Sequence, residues 1–126
     1  MSFSNFLETE ILDHVFGGAA YTAPATHYLA LYTATPGETG GGTEVTGGAY
    51  VRKAVAFTTT GNTTSNTAAV EYPTATANYG TVTSVGVFDA ATSGNLMAYA
   101  ALTTPKLIDS GDVFRVPAAD LDITLD

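Results

Sequence analysis

Few residues in this chain could do chemistry. Among its 126 residues are two histidines, twelve carboxylates and no cysteine, so disulfides and thiol chemistry are excluded. His14 and His27 have no triad spacing and form no HExxH pair, and two isolated imidazoles without thiolates make no zinc cluster. Both are expected to be surface or capping groups. The densest carboxylates are Asp109 with Asp112, and Asp120 with Asp122 and Asp126. Calcium favours several oxygens around one tight loop, and the EF-hand spacing is missing here. Asp109 and Asp112, either side of Ser110-Gly111, are expected to shape a turn by accepting backbone amides. No glycosidase motif accompanies the paired acids. Pro36-Gly37-Glu38-Thr39-Gly40-Gly41-Gly42-Thr43-Glu44 lacks the Gly-Lys-Ser/Thr of a phosphate loop, and its two glutamates would repel phosphate. An exposed, mobile loop is expected instead. These residues predict no enzyme, no metal and no cofactor.

Charge narrows the partners. The formal net charge is −8, with Arg52, Lys53, Lys106 and Arg115 the only basic residues besides the histidines. Binding to nucleic acid or to anionic membrane needs a basic stripe, and neither is expected. Arg52-Lys53 stands out in so acidic a chain. Pairing with local carboxylates is the preferred reading, docking to an acidic partner the other. Only 13% of residues are charged, against ~25% in an average soluble domain. Such a surface suits a protein covered by partners, although a small Thr-rich β-domain has the same composition. No basic region precedes an apolar stretch at the N-terminus, and no apolar run nears the ~20 residues that span a bilayer. Synthesis in, and retention by, the cytosol until lysis is the expectation.

The elements that would position these residues centre on Gly80–Leu102. Two apolar runs, Val82–Phe88 and Leu96–Leu102, flank Ala91-Thr92-Ser93-Gly94-Asn95, a hairpin-length connection in which Gly94 and Asn95 tolerate positive φ. Val85 and Val87 share one face, Gly86 and Phe88 the other. Strict alternation groups Leu96, Ala98, Ala100 and Leu102 against Met97, Tyr99 and Ala101. Both faces are apolar, which predicts a hairpin covered on two sides.

Phe3 to Phe16 is predicted helical, because Phe3, Phe6, Leu7, Ile11 and Val15 recur at three- and four-residue steps. Asn5 with Glu8 resembles a capping box, and Gly17-Gly18 supplies the stop. So short a helix must dock, on its own sheet or on a neighbouring subunit. Strands are expected at His27–Thr33, Tyr50–Thr58, Ala68–Tyr72, Lys106–Ile108 and Val113–Val116. Thr59–Thr67 reads as a polar turn or loop. At the C-terminus Leu121, Ile123 and Leu125 alternate with Asp120, Asp122, Thr124 and Asp126, the pattern of a half-buried strand. Together these predict a mainly β protein: a single-domain antiparallel β-sandwich or jelly-roll-like fold with a short N-terminal α-helix. Residues 1–18 form the helix or arm and residues 19–126 the β-sandwich.

Several pieces carry a family resemblance: Phe6-Leu7-Glu8, Ile11 to Gly18, Tyr21-Thr22-Ala23-Pro24, Tyr28 to Tyr32, Gly86 to Ala91, Leu102 to Lys106 and Ser110-Gly111-Asp112. In combination they resemble a family of small tailed-bacteriophage virion structural proteins, often labelled tail fibre proteins. The resemblance implies a non-enzymatic virion component made in the host bacterial cytoplasm. Capsid decoration, as a cement protein on the major capsid protein, is the first reading. A tail fibre or tail-tip subunit held by tail proteins is the second. A single domain without heptads or fibre repeats is what favours the head. A homo-oligomer is expected, with a trimer favoured. Phe3, Phe6, Leu7 and Ile11 on the helix are the first interface candidates, with Arg52 and Lys53 as a docking pair and Gly37–Gly48 as a second surface. A carbohydrate-binding adhesion module is a third reading, with the seven tyrosines as stacking rings.

Overall fold

The computed structural model describes residues 1–125, leaving Asp126 of the C-terminal alternation outside the described residues. In chain order the elements are β1 (Ser2–Phe3), α1 (Asn5–Val15), β2 (His27–Ala34), β3 (Thr43–Glu44), β4 (Lys53–Val55), β5 (Phe57–Thr60), β6 (Thr63–Asn66), β7 (Val70–Glu71), β8 (Gly80–Phe88), β9 (Leu96–Ile108), β10 (Arg115–Val116) and β11 (Asp122–Thr124). Every strand pairing is antiparallel. A six-stranded sheet runs β1-β9-β8-β2-β3, with β4 also on β2. Smaller sheets pair β10 with β7, and β11 with β6 and β5. This is the mainly β, antiparallel architecture with one short N-terminal helix that the sequence predicts.

The hairpin β8–β9 and strand β2 form the centre. Leu29, Leu31, Val85, Val87 and Ala98 point to one face and join Val70, Tyr72, Phe114, Val116 and Leu121 from the smaller sheets and their connections. Ala30, Tyr32, Phe88 and Leu96 form a second cluster. The main sheet is thus apolar and buried on both faces. Gly86 makes the second cluster possible. A Cβ there would lie 2.9 Å from Leu96 Cδ1 and 3.4 Å from Tyr32 Cε1. Its absence leaves room for the Tyr32 and Phe88 rings, parallel to within 6°.

Strict alternation fails where the ladder is irregular. Val87 faces Ala98 but Phe88 faces Leu96, so Met97 is an extra residue in β9. Leu96 therefore joins Phe88, while Met97 and Ala98 both enter the main core. The connecting turn places Ser93 and Gly94 at positive φ (54° and 77°), and not Asn95. Asn95 instead donates its amide to Asp89 Oδ1 at 2.7 Å. Strand β9 also continues past Leu102. The register jumps from Ser84↔Ala101 to Val82↔Lys106, setting Leu102–Pro105 against Thr83 alone. Pro105 is tolerated because no ladder amide is needed in the bulge.

Three further expectations are corrected. Tyr50–Thr58 is not one strand: β4 belongs to the main sheet, and β5 turns away to pair with β6. Thr59–Thr67 is largely strand, since β5 and β6 form a hairpin about Gly61-Asn62. A threonine-rich run looked like a loop, but β-branched residues suit an extended chain once a neighbour supplies the ladder. The glycine-rich stretch is also more than a mobile loop. It contains β3, and Val45 within it is buried.

The N-terminus is built into the sheet. Phe3 is not helical; it lies in β1, opposite Ala98. The helix cap is Ser4, one residue before the predicted Asn5. Ser4 is fully buried, and its amide donates to the Met97 carbonyl at 2.9 Å. Its hydroxyl donates to the Leu96 carbonyl and accepts from the Leu7 amide. A capping box about Asn5 would give up this anchorage to β9. The predicted glycine stop holds: Gly17 donates to the Asp13 carbonyl at 3.0 Å, and Gly18 has φ +73°. Ser4→Ala is expected to lower stability by about 1–2 kcal/mol, read as a lower urea midpoint at unchanged slope. An unchanged midpoint would show that the cap contributes nothing. Tyr79 gives the opposite case. Its hydroxyl is buried with no hydrogen-bond partner among the described residues, so Tyr79→Phe is expected to leave the melting temperature unchanged or raise it.

Candidate functional site

The residues that could have carried chemistry are engaged in local structure. His14 Nδ1 lies 3.1 Å from the Ala19 carbonyl and 3.3 Å from the Tyr21 amide, tying down the chain after α1. His27 packs edge-on against Phe57, ring centroids 6.1 Å apart. Asp112 Oδ2 accepts the Asp109 amide at 2.9 Å, and the Asp112 amide returns to the Asp109 carbonyl at 3.0 Å. That is the turn the sequence predicts. Among the described residues no three His, Asp or Glu side chains converge as a metal site would require, and no helix is long and apolar enough to cross a membrane.

One polar cluster is half-buried. Arg52 makes a two-toothed contact with Glu44, Nε to Oε2 at 2.9 Å and Nη2 to Oε1 at 2.8 Å. Its remaining nitrogen, Nη1, donates to the carbonyls of Ala90 (3.0 Å) and Ser93 (2.7 Å). The guanidinium carbon sits 3.7 Å from the Phe88 ring centroid, a cation–π contact. Glu44 also accepts the Tyr50 hydroxyl at 2.7 Å, and that hydroxyl in turn accepts the Leu31 amide at 3.0 Å. Tyr72 donates to the Leu29 carbonyl at 2.6 Å and stacks on Tyr50. Burial pushes the Tyr50 and Tyr72 hydroxyls upward, and the Glu44 carboxylate reinforces this. Both stay neutral donors.

Sequence reasoning singled out Arg52 and missed its partners. Glu44 stood in a glycine-rich stretch with no visible pattern; the one signal was scarcity, a cation among twelve acids. Lys53, next along, lies in β4 opposite Leu29 and makes no ion pair among the described residues. Of the helix candidates, Phe3, Phe6 and Leu7 pack against the chain's own core and Ile11 is half-buried. The apolar surface that remains open is elsewhere on α1. Leu12, Val15 and Phe16 are 58%, 61% and 82% exposed. They stand at the three- and four-residue spacing that places side chains together on a helix.

A groove of about 740 Å³ lies beside β9. Val85, Ile108, Phe114 and Leu121 line it, with Lys106 and Arg115 among its charged residues and Asp120 and Asp122 opposing them in sign. β1 pairs with β9 only at Ala98 and Tyr99. Beyond Tyr99 no described strand continues along that edge. The groove and the helix stripe are shapes for contact, and no reactive group is assembled in either.

A domain of this kind offers surfaces, and the comparisons agree with that class. The family model for the podophage GP4 fiber I protein gp80 matches residues 2–124, and the chain belongs to that family. It is a tailed-phage structural protein of the fibre type, and so a virion component. No curated protein matches it.

The half-buried ion pair has a pH signature. Burial alone would raise the Glu44 carboxyl, but the hydrogen bonds from Arg52 and Tyr50 and the guanidinium charge outweigh it, holding it below its ordinary 4.5. A carboxyl lowered on folding contributes stability above its unfolded-state value and loses it as pH falls through the folded value. Wild type is therefore expected to exceed Glu44→Gln in stability at neutral pH, with the gap closing once pH drops below 4.5. Arg52→Ala, which leaves a half-buried carboxylate without its counter-ion, is expected to lower the melting temperature at neutral pH. Parallel acid denaturation curves for wild type and Glu44→Gln would remove the ion pair from the stability account.

Proposed function

We infer that this chain is a non-enzymatic subunit of a podophage tail-fibre assembly, acting through contacts with copies of itself and with neighbouring tail proteins. Membership of a fibre protein family across residues 2–124 carries the reading. It favours the tail over the capsid-decoration role that compactness alone suggested. The domain would serve as a compact attachment or junction module, since its sequence carries no heptad, collagen-like or β-helical repeat from which a shaft is wound. Three copies about the fibre axis is the assembly proposed.

The carbohydrate-binding reading loses ground on one observation. Tyr32, Tyr72 and Tyr79 are buried, and the Tyr50 ring and hydroxyl are engaged internally. Four of the seven tyrosines are therefore closed to a sugar face. Mechanically, the low surface charge would reduce the desolvation cost of bringing subunits together. The test is the position of the protein in an imaged particle. Density for this fold in low copy number at the tail is the expected result. Hundreds of copies over the head would overturn the tail assignment and restore the decoration role.

A further inference from the structure

We propose that the C-terminal end of α1 in one copy seats in the groove beside β9 of the next, giving a head-to-tail contact between copies of this chain. The inference rests on the fibre reading for its setting and on three observations for its geometry.

The helix is anchored at its start and open at its end. Ser4, Phe6 and Leu7 hold the first turn to the sheet, yet α1 has no fully buried residue. Leu12, Val15 and Phe16 leave a contiguous apolar stripe uncovered. A compact monomer has no use for such a stripe, whereas an interface does. Phe16, at 82% exposure, is the kind of aromatic anchor that fills a partner's pocket.

The groove is open for the complementary reason. Its floor is core: Val85, Ile108, Phe114 and Leu121 reach it from three parts of the fold. One wall is the stretch of β9 that no described strand covers. A strand from another chain is a poor occupant there, because the four-residue bulge and Pro105 interrupt any ladder along that edge. A helix end that inserts side chains needs no ladder.

Charge fits the same pairing. Glu8, Glu10 and Asp13 make α1 acidic, and none of them forms an ion pair among the described residues. Two of the chain's four Lys and Arg side chains, Lys106 and Arg115, line the groove and are likewise unpaired there. Asp120 and Asp122 also line it, so the wall is charge-balanced in a molecule of net charge −8. An acidic helix from a second copy would meet two cations along with Asp120 and Asp122 there, a balanced wall in a chain whose net charge of −8 repels it elsewhere. Passed from each copy to the next rather than exchanged between two, the contact is heterologous. It closes into a ring when the rotation between copies allows, and otherwise runs on as a filament.

Complementary mutants test this directly. Phe16→Glu removes the inserting side, and Lys106→Glu with Arg115→Glu removes the receiving side; melting curves matching wild type establish that both variants fold. Leu12→Gln gives an independent break of the stripe should Phe16→Glu melt early. By sedimentation velocity, wild type is expected to self-associate and each variant to associate at least about tenfold more weakly. Mixed in equal amounts, the two variants retain one intact contact and are expected to form a heterodimer and nothing larger. The proposal is overturned by a monomeric wild type, by a groove variant that associates normally, or by a mixture that stays monomeric. The second of these outcomes would mean that the stripe docks on another surface or another protein. A monomeric wild type found at the tail of imaged particles would sink the head-to-tail contact and leave the fibre reading intact.

Discussion

A guanidinium taken out of water is costly unless its donors find acceptors and its charge a counter-ion. Arg52 meets both requirements by holding separate segments together: Glu44 in β3, the Ala90 and Ser93 carbonyls in the β8–β9 turn, and the ring of Phe88 at the end of β8. The geometry works only if the glycine-rich segment returns to β2 and the hairpin turn folds over the same edge. The residue therefore does more than neutralise an acid. It fixes where two long connections lie, and the second hydrophobic cluster, with Phe88, Tyr32 and Leu96, forms beneath it.

The same edge shows how short strands are joined into a continuous sheet. β4 pairs with β2 up to Leu29, and β3 pairs with it from Tyr32. The backbone groups between these pairings would be buried without partners if strands alone supplied them. Tyrosine hydroxyls and one loop amide complete the set: Tyr50 takes the Leu31 amide, Tyr72 gives to the Leu29 carbonyl, and Val45 gives to the Leu31 carbonyl. Tyrosines that the sequence offers as stacking rings for a sugar, or more simply as core filling, are here substitutes for strand residues. The positive φ of Gly42 and Gly48 belongs to this arrangement. A Cβ on Gly42 would come within 2.3 Å of the Ala34 and Thr35 carbonyl oxygens, and one on Gly48 within 2.9 Å of the Ala77 carbonyl oxygen.

What sequence made legible divides by range. The β8–β9 hairpin, the helix with its glycine stop and the Asp109–Asp112 turn are set by neighbours within a few residues, and their patterns were plain. The antiparallel β class followed from the spacing of such pieces. Less visible were features decided by a distant partner. Ser4 is the cap because β9 offers it two carbonyls. Met97 is an extra residue because two strands meet out of step. The threonines of β6 are strand because β5 and β11 flank them. The fate of the helix was half legible. Its apolar residues were expected to dock either on the chain's own sheet or on a neighbour, and they divide between those outcomes along the helix axis.

That division bears on how a small, charge-poor domain could work in an assembly. An apolar face divided lengthwise, with Phe6 and Leu7 packed inside and Leu12, Val15 and Phe16 left open, lets the domain keep its fold before it meets a partner. The open half adds little to the monomer, so it can be selected for contact without destabilising the core. The groove beside β9 is separate from the helix cap, and its floor is core that stays in place whether or not the groove is filled. Under the head-to-tail contact proposed above, a closed ring would occupy every stripe and every groove and leave neither patch free to drive aggregation. A closed, symmetric assembly of that kind would meet those constraints together.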